Sequence, residues 1–135
     1  MPDVSDPVSA ALRAELGRRT DLCWVRHGDL TQAVWHAWVD DDEGGVLALV
    51  SGGDEQPFPD VPDGAEVEVL MRSKDTGGRV LTWAGVASVV RPTDERWQPT
   101  VAALGARRLN LPDPAGAPER WAERSVVRRV VPVEA

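Results

Sequence analysis

The residues best suited to hold an anion gather at two turns. Ser51-Gly52-Gly53 ends the apolar run 46–50, and there backbone amides without side-chain cover can approach a phosphate closely. The second turn, Asp75-Thr76-Gly77-Gly78, follows Arg72-Ser73-Lys74 and precedes Arg79. Three cations and a hydroxyl at one hairpin make the densest positive spot in the chain. Arginine grips phosphate with two parallel hydrogen bonds, and lysine adds a point charge. An ordinary solvated hairpin end has the same composition, and Asp54-Glu55, directly after the glycines, repel phosphate unless turned outward. Neither Gly-x-x-x-x-Gly-Lys-Ser/Thr nor Gly-x-Gly-x-x-Gly is present.

Other chemistry is thinner. His36, with Trp35 beside it and Trp38 two positions on, could line a pocket, although a part-buried strand histidine is the commoner case. Cys23, His27 and His36 show no metal-ligand spacing, so no metal site is expected. No Gly-x-Ser-x-Gly appears, and nothing links a serine to either histidine. Cys23 alternates with Trp24 and reads as a small core residue, and a single cysteine excludes an internal disulfide framework.

These residues sit in a chain of 135, with 42% hydrophobic and 27% charged residues, which suits one globular domain over 1–135. A formal net charge of −7 repels a phosphate backbone, so nucleic acid is not an expected partner. The longest apolar stretches fall far below the ~20 residues that span a bilayer, so no membrane partner is expected. Met1-Pro2-Asp3 opens no basic-then-apolar signal, and a cytoplasmic location is expected. The acidic run Asp40-Asp41-Asp42-Glu43 before Gly44-Gly45 reads as a solvated turn.

Asp6-Pro7 caps a helix predicted over 7–17, with Val8, Ala11, Leu12 and Leu16 on one face and Gly17 as its stop, within an N-terminal segment 1–19. Strands are predicted at 21–26, 31–39, 46–50, 65–72 and 79–90, the fourth alternating cleanly. Five strands over 20–90, joined by short turns, predict an antiparallel meander that curls into a small barrel. A helical crossover over 91–124 follows, its helix starting near Thr93 or, because Pro99 is awkward inside it, at Gln98-Pro99. A proline-rich loop at 110–118, a helical turn at 119–124 and a closing strand at 125–133 complete an α+β, mainly antiparallel fold.

The strand 79–90 has no polar face, since Val80, Ala84, Val86 and Val90 take one side and Leu81, Trp83 and Val89 the other. A small barrel has one interior, so the second face needs cover from helices or from another copy. Six tryptophans against one phenylalanine and no tyrosine favour an interface, and a homodimer is expected.

This layout resembles the pyridoxamine-5'-phosphate-oxidase-like, FMN-binding split β-barrels. The strings SGGDEQP (51–57), RSKD (72–75), RVLTW (79–83), RRLN (107–110) and ERWAER (119–124) are similar to small members of that superfamily, over roughly residues 20–133. The resemblance implies a barrel of about six strands with two or three short helices. It also implies a homodimer that binds FMN, or the deazaflavin F420, in a groove between subunits. Phosphate contacts would fall on Ser51 and on Arg72, Ser73 and Lys74, and ring contacts near Trp35 and His36. The chain departs from the pattern at 52–62, where acid and proline replace a short basic segment. Two functions follow: a flavin- or deazaflavin-binding oxidoreductase, or a dimeric barrel module that has lost its cofactor. A binder of another small apolar ligand stands third.

Overall fold

A computed structural model describes residues 10–41, 44–53, 55–73, 79–107 and 113–133. The expected cap at Asp6-Pro7, Asp54, Lys74 and the turn at 75–78 lie outside the described residues. Helix α1 spans Ala10–Arg19 and leads to strands β1 (Leu22–His27), β2 (Leu30–Trp35), β3 (Ala37–Asp41), β4 (Gly44–Ser51), β5 (Ala65–Ser73) and β6 (Arg79–Val90). Helix α2 (Trp97–Arg107), a short 3-10 turn at Pro114–Gly116, helix α3 (Ala117–Arg124) and strand β7 (Val126–Pro132) follow. Gly17 does not stop α1. Its missing side chain admits an indole, since a Cβ there would lie 2.2 Å from the Trp38 ring. Pro99 falls in the first turn of α2, where its absent N–H costs no helical bond.

One antiparallel sheet has the order β2-β1-β5-β6-β7-β4-β3. The expected meander is therefore corrected: β4 pairs with β3 and β7 but not with β5, and β1 pairs with both β2 and β5. Register between distant strands is decided by which faces can be buried together, and local periodicity does not encode it. The expected strand 31–39 is also two strands, broken at His36. Side chains keep alternating through the break, with Val34 and Trp38 in one apolar layer and Ala37 and Val39 in the other. β2 and β3 are thus two halves of one bent strand. They form the two edges of the sheet, so the sheet must curl until its edges meet.

The curl has two apolar layers. Inside it, Val25, Leu47, Leu49, Val69, Met71 and Val130 are almost fully buried, and Leu16 of α1 joins them. Trp38 meets Trp83 edge to face here at 6.3 Å, and the Arg13 guanidinium lies 5.6 Å from the Trp83 ring centre. Outside it, α2 and α3 lay Trp97, Val101, Leu104 and Trp121 over β3, β4 and the start of β7. Each such side chain contributes about 1.5–3 kcal/mol when fully buried. The helices therefore supply the cover that one sector of the outer wall requires.

Candidate functional site

The seam where β2 hands over to β3 gathers three of the residues marked by the sequence. Trp35 ends β2 facing outward opposite Leu22, His36 occupies the break, and Ser51 ends β4. Gln56 closes the gap. Its Oε1 accepts the Trp35 N–H at 2.7 Å, while its Nε2 donates to the carbonyls of Trp35 at 2.9 Å and Val50 at 3.2 Å. A side-chain amide here satisfies backbone groups that a neighbouring strand would otherwise pair. The turn is shaped for it: Gly52 and Gly53 have φ of 81° and 62°, the Gly52 N–H donates to Gln56 O, and the Glu55 N–H donates to Gly52 O. A Cβ on Gly53 would fall 2.6 Å from the Arg124 carbonyl. The Gly52 amide expected to be bare is therefore spent within its own turn.

His36 is 1% exposed and presents no surface to a ligand in this arrangement. Its Nε2 lies 3.2 Å from Gly17 O and 3.3 Å from Thr20 Oγ1. Thr20 Oγ1 already donates to Leu16 O at 2.6 Å, so it accepts from the ring. That network assigns the proton to Nε2 and leaves Nδ1 a buried lone pair with no partner among the described residues. Burial above all pushes the imidazole pKa down to about 4; the Gly17 hydrogen bond works the other way. Arg107 braces the same corner from α2, donating to the carbonyls of Arg18 at 2.8 Å and Thr20 at 3.0 Å and to the Asp21 carboxylate.

Ser51 is buried, and its hydroxyl accepts a hydrogen bond from Arg128 Nη1 at 2.9 Å. Arg128 lies over the Phe58 ring with its guanidinium carbon 4.7 Å from the ring centre. Burial lowers its pKa, partly offset by Asp60 and Asp63. Ser125 Oγ donates to Gly52 O at 2.9 Å and ties the start of β7 to the same turn. Arg72 is not part of this corner. It is exposed, pairs with Val80 and shares the outward face, whereas Ser51, two positions after Leu49, shares the inward face. Ser73 ends β5 beside it, and Lys74 lies outside the described residues. The four expected phosphate contacts are thus divided, and the cation beside Ser51 is Arg128.

Sequence reasoning missed Gln56, Phe58 and Arg128. Gln56 carried one faint signal, as a long neutral amide in an otherwise acidic and proline-rich connection. Among the described residues no group of three or more His, Cys, Asp or Glu could hold a metal ion, and no helix is long and apolar enough to cross a membrane.

No protein-family model matches the chain, and no curated protein matches it. A solved structure does: the protein described as HutZ, the heme storage protein from Vibrio cholerae, superposes with a TM-score of 0.58. That match covers 96% of this chain and 93% of the other at 15% sequence identity. At that identity the likeness speaks for the fold, and the fold is an α+β split barrel.

Proposed function

We propose that this split barrel works as a homodimer and binds a planar ring cofactor between the copies, with FMN or the deazaflavin F420 as the favoured ring. The observation that carries the reading is the uncovered sector of the outer wall. α2 and α3 cover β3 and β4, whereas among the described residues no helix packs closely over the outward faces of β1, β5 and the start of β6. Leu22 is 49% and Val80 47% exposed there. Trp24 stands on that wall, and Trp35, diagonal to it, lies at its margin against the helix-covered layer, since Trp24 faces Ala33 and Leu22 faces Trp35. Two half-buried indoles beside exposed aliphatic groups suit a flat aromatic ligand. A flavin would supply hydride transfer. The chain's own part would be to bind, orient and shield the ring, and no side chain is assigned as acid or base. The structural neighbour is described as a heme storage protein, which adds heme to the rings worth offering.

The alternative, a barrel module without a cofactor, draws support from the division of Ser51 from Arg72. Titration of the purified protein with FMN, F420 and heme, followed by tryptophan fluorescence, separates the two. Quenching that saturates at low micromolar ligand is expected for at least one ring. Flat curves for all three at high micromolar concentration leave the module reading standing.

A further inference from the structure

We propose that Arg128, seated on Phe58 and fixed by Ser51, is an anion anchor that takes the phosphate end of a small phosphorylated ligand. Several arginines meet a carboxylate: Arg18 meets Asp40, Arg26 meets Glu68, and Arg107 meets Asp21. Arg128 is half-buried, yet among the described residues no carboxylate lies within ion-pair distance of it. A guanidinium carries five N–H donors, and the one hydrogen bond found for this one goes to Ser51 Oγ. Its remaining N–H groups face solvent and are open to an anion, which a partly dehydrated guanidinium binds more strongly than a fully exposed one does.

The fork is also held ready. The Phe58 ring, 4.7 Å below, keeps the guanidinium plane in place, and the Ser51 hydroxyl fixes one of its edges. Ser51 is buried and serves to hold the fork, while the outward N–H groups of Arg128 are left to meet an anion. A phosphate, with oxygens in several directions, can take two of them in parallel. Two acids bear on the corner. Asp63 is engaged already, with Oδ1 accepting the Val89 N–H at 2.8 Å and Oδ2 3.8 Å from Arg91. Asp60 is exposed and is the competitor that a bound anion must outbid.

Gln56 connects this corner to the tryptophan wall, because the residue two positions before Phe58 is the one bonded to Trp35. The anchor thus deepens the cofactor reading by naming which cation would hold the anionic end, and it rests on that reading only for the position of the ring. Inorganic phosphate tests it without any ring. Phosphate is expected to raise the Tm of the full chain more than equimolar acetate does. Arg128→Gln should remove that rise, and Asp60→Asn should enlarge it. Arg128→Lys, which keeps the charge but not the fork, should retain part of it and guards against a glutamine variant that fails to fold. A folded Arg128→Gln that responds to phosphate as the unaltered chain does overturns the anchor, as does an equal response to acetate. FMN and riboflavin differ by one phosphate, and FMN is expected to bind about tenfold tighter in the unaltered chain and equally in Arg128→Gln. Equal binding of the two in the unaltered chain removes the anchor and keeps the ring. A phosphate response that depends on Arg128, with neither flavin bound, keeps the anchor and removes the flavin.

Discussion

At the scale of single residues, His36 couples the seam to acidity. Its folded pKa of about 4 lies below the 6.5 of an ordinary histidine, so the unfolded chain takes up its proton first. Stability from the neutral ring is therefore complete above pH 6.5 and is lost as pH falls toward 4. The shift corresponds to about 3 kcal/mol at a buried site. Thermal melts of the native chain should lose Tm across that window, and His36→Gln should flatten the loss. A variant that loses Tm as steeply would show that other groups carry the acid response. The end of β4 at Ser51 was legible because it closes an apolar run. Arg128 was not, because a cation pair inside Val-Val-Arg-Arg-Val-Val reads as a solvated strand. Alternation puts its two arginines on opposite faces, and only the completed barrel shows that both faces are covered.

At the scale of elements, close packing outranks intrinsic preference. Alanine favours a helix over glycine by about 1 kcal/mol, so Gly17→Ala in isolation would strengthen α1. Here the new Cβ would sit 2.2 Å from the Trp38 ring, whose Nε1 edge is packed as closely on Gly45. Little room is left for the indole to shift, and overpacking costs about 1–3 kcal/mol. Urea denaturation should show Gly17→Ala destabilised by about 2 kcal/mol, less the helical gain. A more stable variant would mean that the ring moves freely. The strand 65–72 could be read directly, because strict alternation against a solvated face has one explanation. The break at His36 could not, since the two-residue period runs through it undisturbed. The strand order was hidden for a related reason: local pattern marks an inner face without naming the neighbour that shares it.

At the scale of the whole molecule, the tryptophans divide by role. Trp38 and Trp83 fill the barrel, and Trp97 and Trp121 are buried beneath the helices. Only Trp24 and Trp35 remain half-buried on the outer wall, so the surplus of indoles is mostly internal. The homodimer then rests on the exposed aliphatic groups around that pair. Val80→Asp should leave the fold intact, because the residue is already half exposed. Light scattering should show the mass falling from roughly 29 kDa, twice the 14.6 kDa chain, to that of one chain. An unaltered chain that already scatters as 14.6 kDa would remove the dimer from the reading. The position of β7 has its own consequence. This strand comes after every other strand in the sequence, yet it lies between β6 and β4 and joins them. Until it emerges from the ribosome, a nascent chain holds two ribbons hinged at His36 with their oily inner faces open. Closure of the barrel therefore waits until β7 has been made, and a polypeptide released short of residue 126 is left for chaperones and proteases to handle.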